Sequence, residues 1–281
     1  MNRKNYFEIL KEQGFDPHQE IENIHFLLNS TTYDEYYSLQ KGIERNFLNY
    51  KNRKSFIKFE QLEEVVRLKY DDAAFHLFNY TEMIIDLSKD IIEPYIANIN
   101  ERYAFEFLSN QYQALQYQIK NFLNVSNHEL IENESGNLIV VEKNMLANQA
   151  SQIISDLSLK DSIKILKYNH FSNEGDIETK KQILLSLANL LEPKRDDLNK
   201  KLGKLFKQKS NGKVEIVSDL FEMFNKLHLR HNDKHQYITS KDVFSLEHWY
   251  DSVYNTILMV IVSEEQVKIH EEFETLKKYN I

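Results

Sequence analysis

The sequence predicts a mostly α-helical protein, and three observations support this. Only 6 Gly and 3 Pro occur in 281 residues, whereas β-rich folds need many tight turns built from these two residue types. Apolar residues recur every three or four positions along most of the chain, which is the spacing of a buried helix face. Hydrophobic residues make up 42% of the chain, which is enough for a sizeable core and argues against wholesale disorder.

The first 90 residues are predicted to form a separate region of several helices. Apolar side chains recur at near-helical spacing from Phe59 to Leu68 and again from Phe75 to Leu87, and each run predicts an amphipathic helix. The remaining residues, 91–281, are predicted to form a second helical domain.

A long helix is expected to begin at Glu93-Pro94, because proline is tolerated in the first turn of a helix, and to run to about Leu123. The aromatic residues along it are interpreted as core. They are Tyr95, Tyr103, Phe105, Phe107, Tyr112, Tyr117 and Phe122.

One segment favours β structure. Two short apolar runs, 129–131 and 138–141, flank the turn-forming residues 133–137, which include Gly136. This pattern predicts a small β-hairpin inserted between helices.

Helical spacing resumes at about Met145 and is interrupted by the polar residues 172–176. The next helix is expected from near Thr179. Pro193 falls inside its pattern, so a kink or a new helix start is expected there.

Two further helices are expected near the end of the sequence. The first covers about 215–230, and the second begins near Ser245, a residue type that favours the N-cap position. The short polar segment 231–244 joins them and would lie at the junction of two amphipathic helices.

The composition and the apolar runs of the sequence indicate the cellular compartment of the protein. The absence of Cys excludes disulfides and thiolate metal sites and fits a reducing compartment. The first ten residues lack the apolar run of a signal peptide, and the aliphatic run Ile257–Val262 is far shorter than the roughly 20 residues of a membrane span. We therefore expect a soluble, cytoplasmic protein with no membrane contact.

The net charge of −8 argues mildly against a dedicated nucleic-acid scaffold, but not against an enzyme that contacts a short RNA.

Four histidines cluster near the predicted helix junction, namely His228, His231, His235 and His248. They are compatible with a polar helix end that needs no function, since His and Arg favour helix C-termini. A metal site is a second interpretation, because His231 and His235 stand four residues apart, with His228, Asp233 or a remote residue as the third ligand. Against it, position 232 is Asn where a zinc protease motif requires Glu.

Metal-independent RNA cleavage is the third interpretation. This reaction removes a proton from a 2′-hydroxyl, protonates a 5′-oxygen and stabilises an anionic phosphorane. A histidine such as His235 can transfer protons near neutral pH, and a guanidinium such as that of Arg230 can hold phosphate oxygens. His231 and Asn232 would position the phosphate.

The segment Arg230-x4-His235 resembles the R-x4–6-H motif of the HEPN superfamily of helical nucleases and nucleotide-binding modules. As in that family, an apolar residue precedes the arginine and a polar residue follows it; here these are Leu229 and His231. Tyr237 completes an Arg-x4-His-x-Tyr pattern. The resemblance extends over residues 91–281 at most and is strongest over 179–262.

The resemblance implies a four-helix core and a homodimer in which two motifs form one composite site. It also implies RNA cleavage without metal or cofactor that leaves a 2′,3′-cyclic phosphate and a 5′-hydroxyl. Such proteins occur as toxins with a cognate antitoxin and in abortive-infection defence against phage, and in some of them a tyrosine in the position of Tyr237 is modified by a nucleotidyltransferase. Some members keep the fold without the chemistry. The alternative function is therefore a non-catalytic module that binds a partner protein or nucleotide, which the acidic net charge also favours.

A lysine-rich stretch bears on the substrate. Residues 194–213 contain eight basic and two acidic residues. We expect Lys200, Lys204 and Lys207 to share a helix face. That face is either solvated without further function or a track for the RNA backbone.

Overall fold

The computed structural model describes residues 14–68, 72–230, 236–238 and 242–279, and these residues form two compact units. The first unit contains the described residues up to Glu132 together with Gly136–Glu142. The second contains Asn133–Ser135 and the described residues from Lys143 onward. The predicted mostly α-helical fold with one small hairpin is confirmed in these residues.

Six α-helices of the first unit are described. They are α1 (Pro17–Asn29), α2 (Leu39–Asn46), α3 (Phe59–Leu68), α4 (Ala73–Leu87), α5 (Glu93–Ala97) and α6 (Arg102–Val125). Side chains of Asp16, Ser38 and Asp72 accept hydrogen bonds from the first amides of α1, α2 and α4. These caps satisfy donors that have no partner within the helix.

The single long helix expected from Glu93 is instead two helices. Pro94 does lie in the first turn of α5, but the chain leaves helical geometry at Asn98, and α6 begins only at Arg102. The Asn98 side-chain amide donates to the carbonyl of Pro94 over 2.8 Å. Asn98 is thus the C-cap of α5, and its side chain bonds to the last turn of that helix.

The aromatic residues of this segment are mostly not core, contrary to the expectation. The buried face of α6 consists of Ala104, Leu108, Leu115, Ile119, Phe122 and Leu123. Of the seven aromatic residues, all of them described, only Phe122 is buried; Tyr103, Phe105 and Tyr117 are exposed. Tyr103 and Tyr112 use their hydroxyls to bond carboxylates at the surface, which is compatible with partial exposure.

The predicted hairpin is present as β1 (His128–Glu132) and β2 (Leu138–Glu142), paired antiparallel with Leu130 opposite Val140. Gly136 in the turn has a φ of +81°, a conformation that glycine adopts without steric cost. Val140 is fully buried, and its amide donates over 2.7 Å to the carboxylate of Glu82 on α4. The hairpin therefore belongs to the first unit.

The boundary between the two units lies later in the chain than predicted. Helix α6 contacts α1, and β2 contacts α4, so residues 91–132 belong with the first unit. The compact units divide at residues 132–143 and not at residue 90 as predicted. The chain stays helical through residue 90, with a π-helical stretch at Ser88–Ile92 between α4 and α5, and α6 then folds back onto the same core.

Six α-helices of the second unit are described. They are α7 (Met145–Ser155), α8 (Leu159–Lys167), α9 (Ile177–Leu191), α10 (Arg195–Leu202), α11 (Glu215–Lys226) and α12 (Val243–Tyr279). Pro193 lies in a short 3-10 turn, Glu192–Lys194, from which α10 continues, so the expected new helix start is confirmed. Apolar faces of all six helices contribute to one core.

Both helices that flank the polar segment differ in their bounds from the expectation. Helix α11 ends at Lys226, four residues before the predicted end. Helix α12 begins at Val243, where Asp242 accepts a hydrogen bond from the Ser245 amide over 3.1 Å. Asp242, and not Ser245, thus caps this helix. None of the described helices combines the length and the apolar character that crossing a membrane would need.

Candidate functional site around Arg230

The predicted site residues fall into two groups. His231, Asn232 and His235 lie outside the described residues, and so does Asp233, an alternative metal ligand. Arg230, Tyr237 and the three lysines Lys200, Lys204 and Lys207 are described. The structure therefore describes the residues on either side of 231–235, namely those up to Arg230 and those from Gln236 to Ile238.

Both ends of the motif segment are bonded to the C-terminal end of α11. The last carbonyls of a helix lack partners within it and need donors from elsewhere. Here each of four successive carbonyls receives one: Arg230 N to Phe224 O (3.1 Å), Gln236 Nε2 to Asn225 O (3.1 Å), Tyr237 N to Lys226 O (3.0 Å) and Tyr250 Oη to Leu227 O (3.1 Å). The chain thus leaves α11, passes through residues 231–235 and returns to the same helix end.

His228 makes the turn at the end of α11. Its φ of +57° is unusual for a residue with a side chain and reverses the chain direction directly after the helix. The His228 amide donates to the side chain of Gln236 over 2.8 Å, and Nε2 lies 2.7 Å from the carbonyl oxygen of Ile238. These contacts occupy His228 structurally, which weakens it as the third ligand of a metal site.

Arg230 connects this loop to a second helix end. Its Nη2 donates to the carboxylate of Glu192 over 2.7 Å and to the carbonyl of Ala188 over 3.3 Å. Its guanidinium carbon lies 5.3 Å from the centre of the Phe224 ring. Only 12% of the side chain is exposed, against 51% for Glu192. Arg230 therefore stabilises the C-terminal end of α9, where a cation is favoured by the helix dipole.

The electrostatics around Arg230 bear directly on phosphate binding. The C-terminal ends of α9 and α11 and the Glu192 carboxylate all present negative charge or partial charge beside the guanidinium. A carboxylate fits the guanidinium fork as a phosphate does. Glu192 thus holds one position that an RNA phosphate would take, and binding would require its displacement.

Tyr237 is accessible, as a modified residue must be. Its side chain is 57% exposed, and its hydroxyl donates to the carboxylate of Glu222 on α11. This hydrogen bond raises the pKa of Tyr237. The hydroxyl is therefore protonated at neutral pH and points along the outer surface of α11.

The three lysines do not share a helix face, because α10 ends at Leu202 and only Lys200 lies within it. Lys204 pairs with Glu271 of α12, and Lys207 lies 3.9 Å from Glu215 of α11. Nearby, Lys201 pairs with Glu264, and Lys209 pairs with Asp219. Carboxylates from α11 and α12 thus offset much of the positive charge in residues 194–213.

A buried polar cluster in the second unit was missed by the sequence reasoning. The Lys180 ammonium on α9, with its side chain 9% exposed, lies 2.8 Å from both Glu247 and Asp251 of α12. The Tyr168 hydroxyl also donates to Asp251 over 2.8 Å, and the Gly175 amide donates to Glu247 over 2.8 Å. The spacing of Glu247 and Asp251, four residues apart, predicts that they share a helix face, but it does not indicate which residue lies between them.

Within the described parts of the chain, no group of three His, Asp or Glu side chains has the arrangement of a metal site. His231 and His235 lie outside the described residues, so their interpretation as metal ligands stays a hypothesis.

Comparison with known proteins identifies no relative of this chain. No protein-family model, no curated protein and no solved structure matches it. The functional conclusions therefore depend on the residues and contacts described above.

Proposed function

We propose that this protein is a metal-independent endoribonuclease of the HEPN type, with the motif Arg230-x4-His235 as its catalytic centre. One observation carries the proposal beyond the motif itself. Arg230 at the start of the motif, and Gln236 and Tyr237 directly after it, are hydrogen-bonded to the last turn of α11. Hydrogen bonds to a helix end on both sides of residues 231–235 are suitable support for a catalytic pair.

The proposed chemistry assigns one task to each residue. His235 takes the proton from the 2′-hydroxyl, the 2′-oxygen attacks phosphorus, the bond from phosphorus to the 5′-oxygen breaks, and the His235 imidazolium gives its proton to that oxygen. Arg230 exchanges its Glu192 partner for the scissile phosphate and stabilises the anionic phosphorane. His231 and Asn232 position the phosphate. The products are a 2′,3′-cyclic phosphate and a 5′-hydroxyl.

The biological setting we propose is toxin activity or abortive-infection defence, with RNA as substrate and a cognate antitoxin or other defence partner. The protein would act as a homodimer whose two motifs form one site. Lys200 is the exposed lysine on α10 that would contact the RNA backbone, whereas Lys204 and Lys207 would first have to leave Glu271 and Glu215. Tyr237 is the proposed position of a regulatory modification.

A non-catalytic helical module that binds a partner protein or nucleotide is the second candidate. The observation that favours it is the contact of Arg230 with Glu192 and Ala188, which gives the arginine a structural task without any substrate. Under this alternative, Arg230 stabilises the packing of α9 on the motif loop, and the histidines only cap a polar helix end.

The decisive experiment measures RNA cleavage by the purified protein in the presence of EDTA. The enzyme should cleave RNA and leave 2′,3′-cyclic phosphate ends, and His235→Ala should lower the rate about 10²–10⁴-fold, because one proton-transfer group is lost. The matched control is His248→Ala, since His248 is an exposed histidine outside the motif, and it should leave the rate unchanged. Wild-type-like cleavage by His235→Ala would show that this assignment is wrong.

A second variant separates the two candidate functions. Glu192→Gln weakens the competitor for Arg230 without changing its shape. If the guanidinium binds phosphate, this variant should bind RNA more tightly than wild type at equal salt concentration. The non-catalytic candidate predicts no RNA cleavage by any variant and only a loss of thermal stability in Glu192→Gln.

A further inference from the structure

Helix α12 is much longer than the core against which it packs. It spans Val243–Tyr279, but Val267 is its last buried residue. On one side it contacts the rest of the unit through buried residues that include Tyr250, Ile257 and Val260. The ion pairs of Glu264 and Glu271 with lysines near α10 lie on this same side. The packed side of α12 is therefore defined along most of its length.

An apolar stripe runs along the opposite side of the second half of α12; at its start, Val262 is partly buried and also packs against the core of the unit. It follows alternating steps of three and four residues: Met259, Val262, Gln266, Ile269, Phe273 and Leu276. Met259 is 38% exposed, Phe273 57% and Leu276 61%. The same face carries only polar residues in the first half of the helix: Ser245, His248, Ser252 and Asn255. The stripe therefore begins beside the core, at Met259 and Val262, and continues past Val267, the last buried residue of the helix.

This spacing is that of a coiled-coil seam, with apolar residues at the a and d positions of consecutive heptads. Met259, Gln266 and Phe273 take the a positions, and Val262, Ile269 and Leu276 take the d positions. Glu264 and Glu271 then take the f position, which points away from a coiled-coil partner, in agreement with their contacts to the rest of the unit. A single Gln at an a position is the kind of polar residue that sets register.

The charges beside the stripe favour a second copy in one direction, although Glu265 also pairs with Lys268, and Lys277 with Glu274, within the helix. Glu265 and Glu272 stand at g positions, and His270 and Lys277 stand at e positions. In a parallel pair of identical helices, each g residue faces the e residue five positions later on the other helix. Glu272 then faces Lys277, and Glu265 faces His270. An antiparallel pair would instead bring glutamates against glutamates, which is unfavourable.

We propose that a second copy of this chain packs along this stripe, forming a parallel, two-fold coiled coil over residues 259–276. The seam is roughly 26 Å long at 1.5 Å of rise per residue. Because the two helices run in the same direction, the two motif loops that precede Val243 lie at the same end of the dimer. The proposal rests on the pattern and exposure of α12 alone and holds whether or not the motif cleaves RNA.

Measuring the oligomeric state of wild type and stripe variants tests whether the stripe is the dimer interface. Light scattering of the purified full chain should give a dimer, and the double variant Phe273→Glu/Leu276→Glu should give a monomer with unchanged helical circular dichroism, since both side chains are exposed. The matched control is Phe244→Glu, an 85% exposed position on the same helix outside the stripe, which should remain dimeric. A wild-type monomer, or a double variant that stays dimeric, overturns the proposal.

The relative direction of the two α12 helices is tested by disulfide cross-linking. The chain is well suited to this because it has no native cysteine. In the parallel pair the two copies of residue 276 face each other, so Leu276→Cys should form a covalent dimer on mild oxidation. Thr275→Cys, on the flank of the seam, should not. A reversed pair, Glu272→Lys/Lys277→Glu, should dimerise as wild type does, whereas Glu272→Lys alone should weaken the dimer. Absence of the Leu276→Cys cross-link overturns the parallel arrangement.

Discussion

Lys180 is a charged side chain that the fold encloses almost completely. Burial by itself opposes its charge, but the hydrogen bonds that the ammonium donates to Asp251 and Glu247 outweigh burial and raise the pKa of Lys180. Burial also opposes ionisation of Glu247, and here the hydrogen bonds from Lys180 and the Gly175 amide outweigh it and lower the pKa of Glu247. Each charge is therefore stable only because its partner is present.

Replacing Lys180 by Met should therefore destabilise the protein. The change leaves two carboxylates facing each other in a partly enclosed site, and we expect a loss of about 2 kcal/mol of unfolding free energy, because removal of one partner of a buried pair leaves an uncompensated charge. Urea denaturation measures it. Lys201→Met is the control, since Lys201 is 38% exposed and also contacts two carboxylates, and it should cost about 0.5 kcal/mol.

The stability difference between wild type and Lys180→Met should depend on pH. The folded pKa of Glu247 is lowered from 4.5, so its contribution is present above pH 4.5 and is lost as the pH falls through the folded pKa. The folded pKa of Lys180 is raised from 10.5, so its contribution is present below pH 10.5 and is lost as the pH rises through the folded pKa. The difference should thus be largest between pH 4.5 and 10.5. An equal difference at strongly acidic pH would contradict this pairing.

At the scale of secondary structure, the ends of α11 and α9 organise the candidate site. Helix α11 stops at Lys226 because His228 adopts a positive φ. The loop that follows supplies donors to the carbonyls of residues 224–226, and Tyr250 of α12 supplies the donor to the Leu227 carbonyl. Arg230 likewise donates a hydrogen bond to a carbonyl in the last turn of α9, that of Ala188. The loop is therefore positioned mainly by hydrogen bonds to helix ends and only in part by apolar packing.

Tyr250→Phe tests how much one of these bonds contributes. Tyr250 is 1% exposed, and its hydroxyl donates to the Leu227 carbonyl over 3.1 Å, while burial raises the pKa of Tyr250 to about 12. Removing the hydroxyl leaves a buried carbonyl without its donor and should cost about 1 kcal/mol of unfolding free energy. Tyr237→Phe is the control, because the Tyr237 hydroxyl bonds a carboxylate at the surface, and its melting temperature should stay unchanged. Equal melting temperatures for both variants would show that the cap is dispensable.

The whole chain consists of two units, each with its own core. The second unit closes its core with residues from Ala147 to Val267 alone, so it needs no apolar residue of the first unit for that core. The first unit includes the hairpin, whose residues Val140 and Val141 are buried. A cut at residue 90 would divide the first unit and expose the apolar face of α6.

Fragments of the chain should reflect this division. A fragment of residues 143–281 should fold alone and show a cooperative thermal transition by circular dichroism, since independent cores fold independently. A fragment of residues 91–281 carries half of the first unit with exposed apolar surface, and we expect it to aggregate on heating. If the longer fragment melts cooperatively and the shorter one is unfolded, the domain boundary lies near residue 90 after all.

The sequence alone predicted those features that local chemistry controls. The fold class followed from the scarcity of Gly and Pro, the hairpin from two apolar runs around Gly136, and the new helix start from Pro193. Each depends on backbone preferences or periodicity that a short window of sequence contains. The motif Arg230-x4-His235 was found in the same way, and its catalytic role stays a prediction.

Tertiary structure decided everything that depends on which residues meet across long separations. No local pattern indicated that Lys180 would lie between Glu247 and Asp251, that Arg230 would contact Glu192, or that Glu271 would pair with Lys204. The aromatic residues of α6 were misassigned to the core because hydrophobicity alone does not tell which face of a helix is covered. The physical reason is common to all of these cases: burial and ion pairing depend on distances in space that the folded backbone creates, whereas helix propensity and turn preference act between near neighbours in the chain.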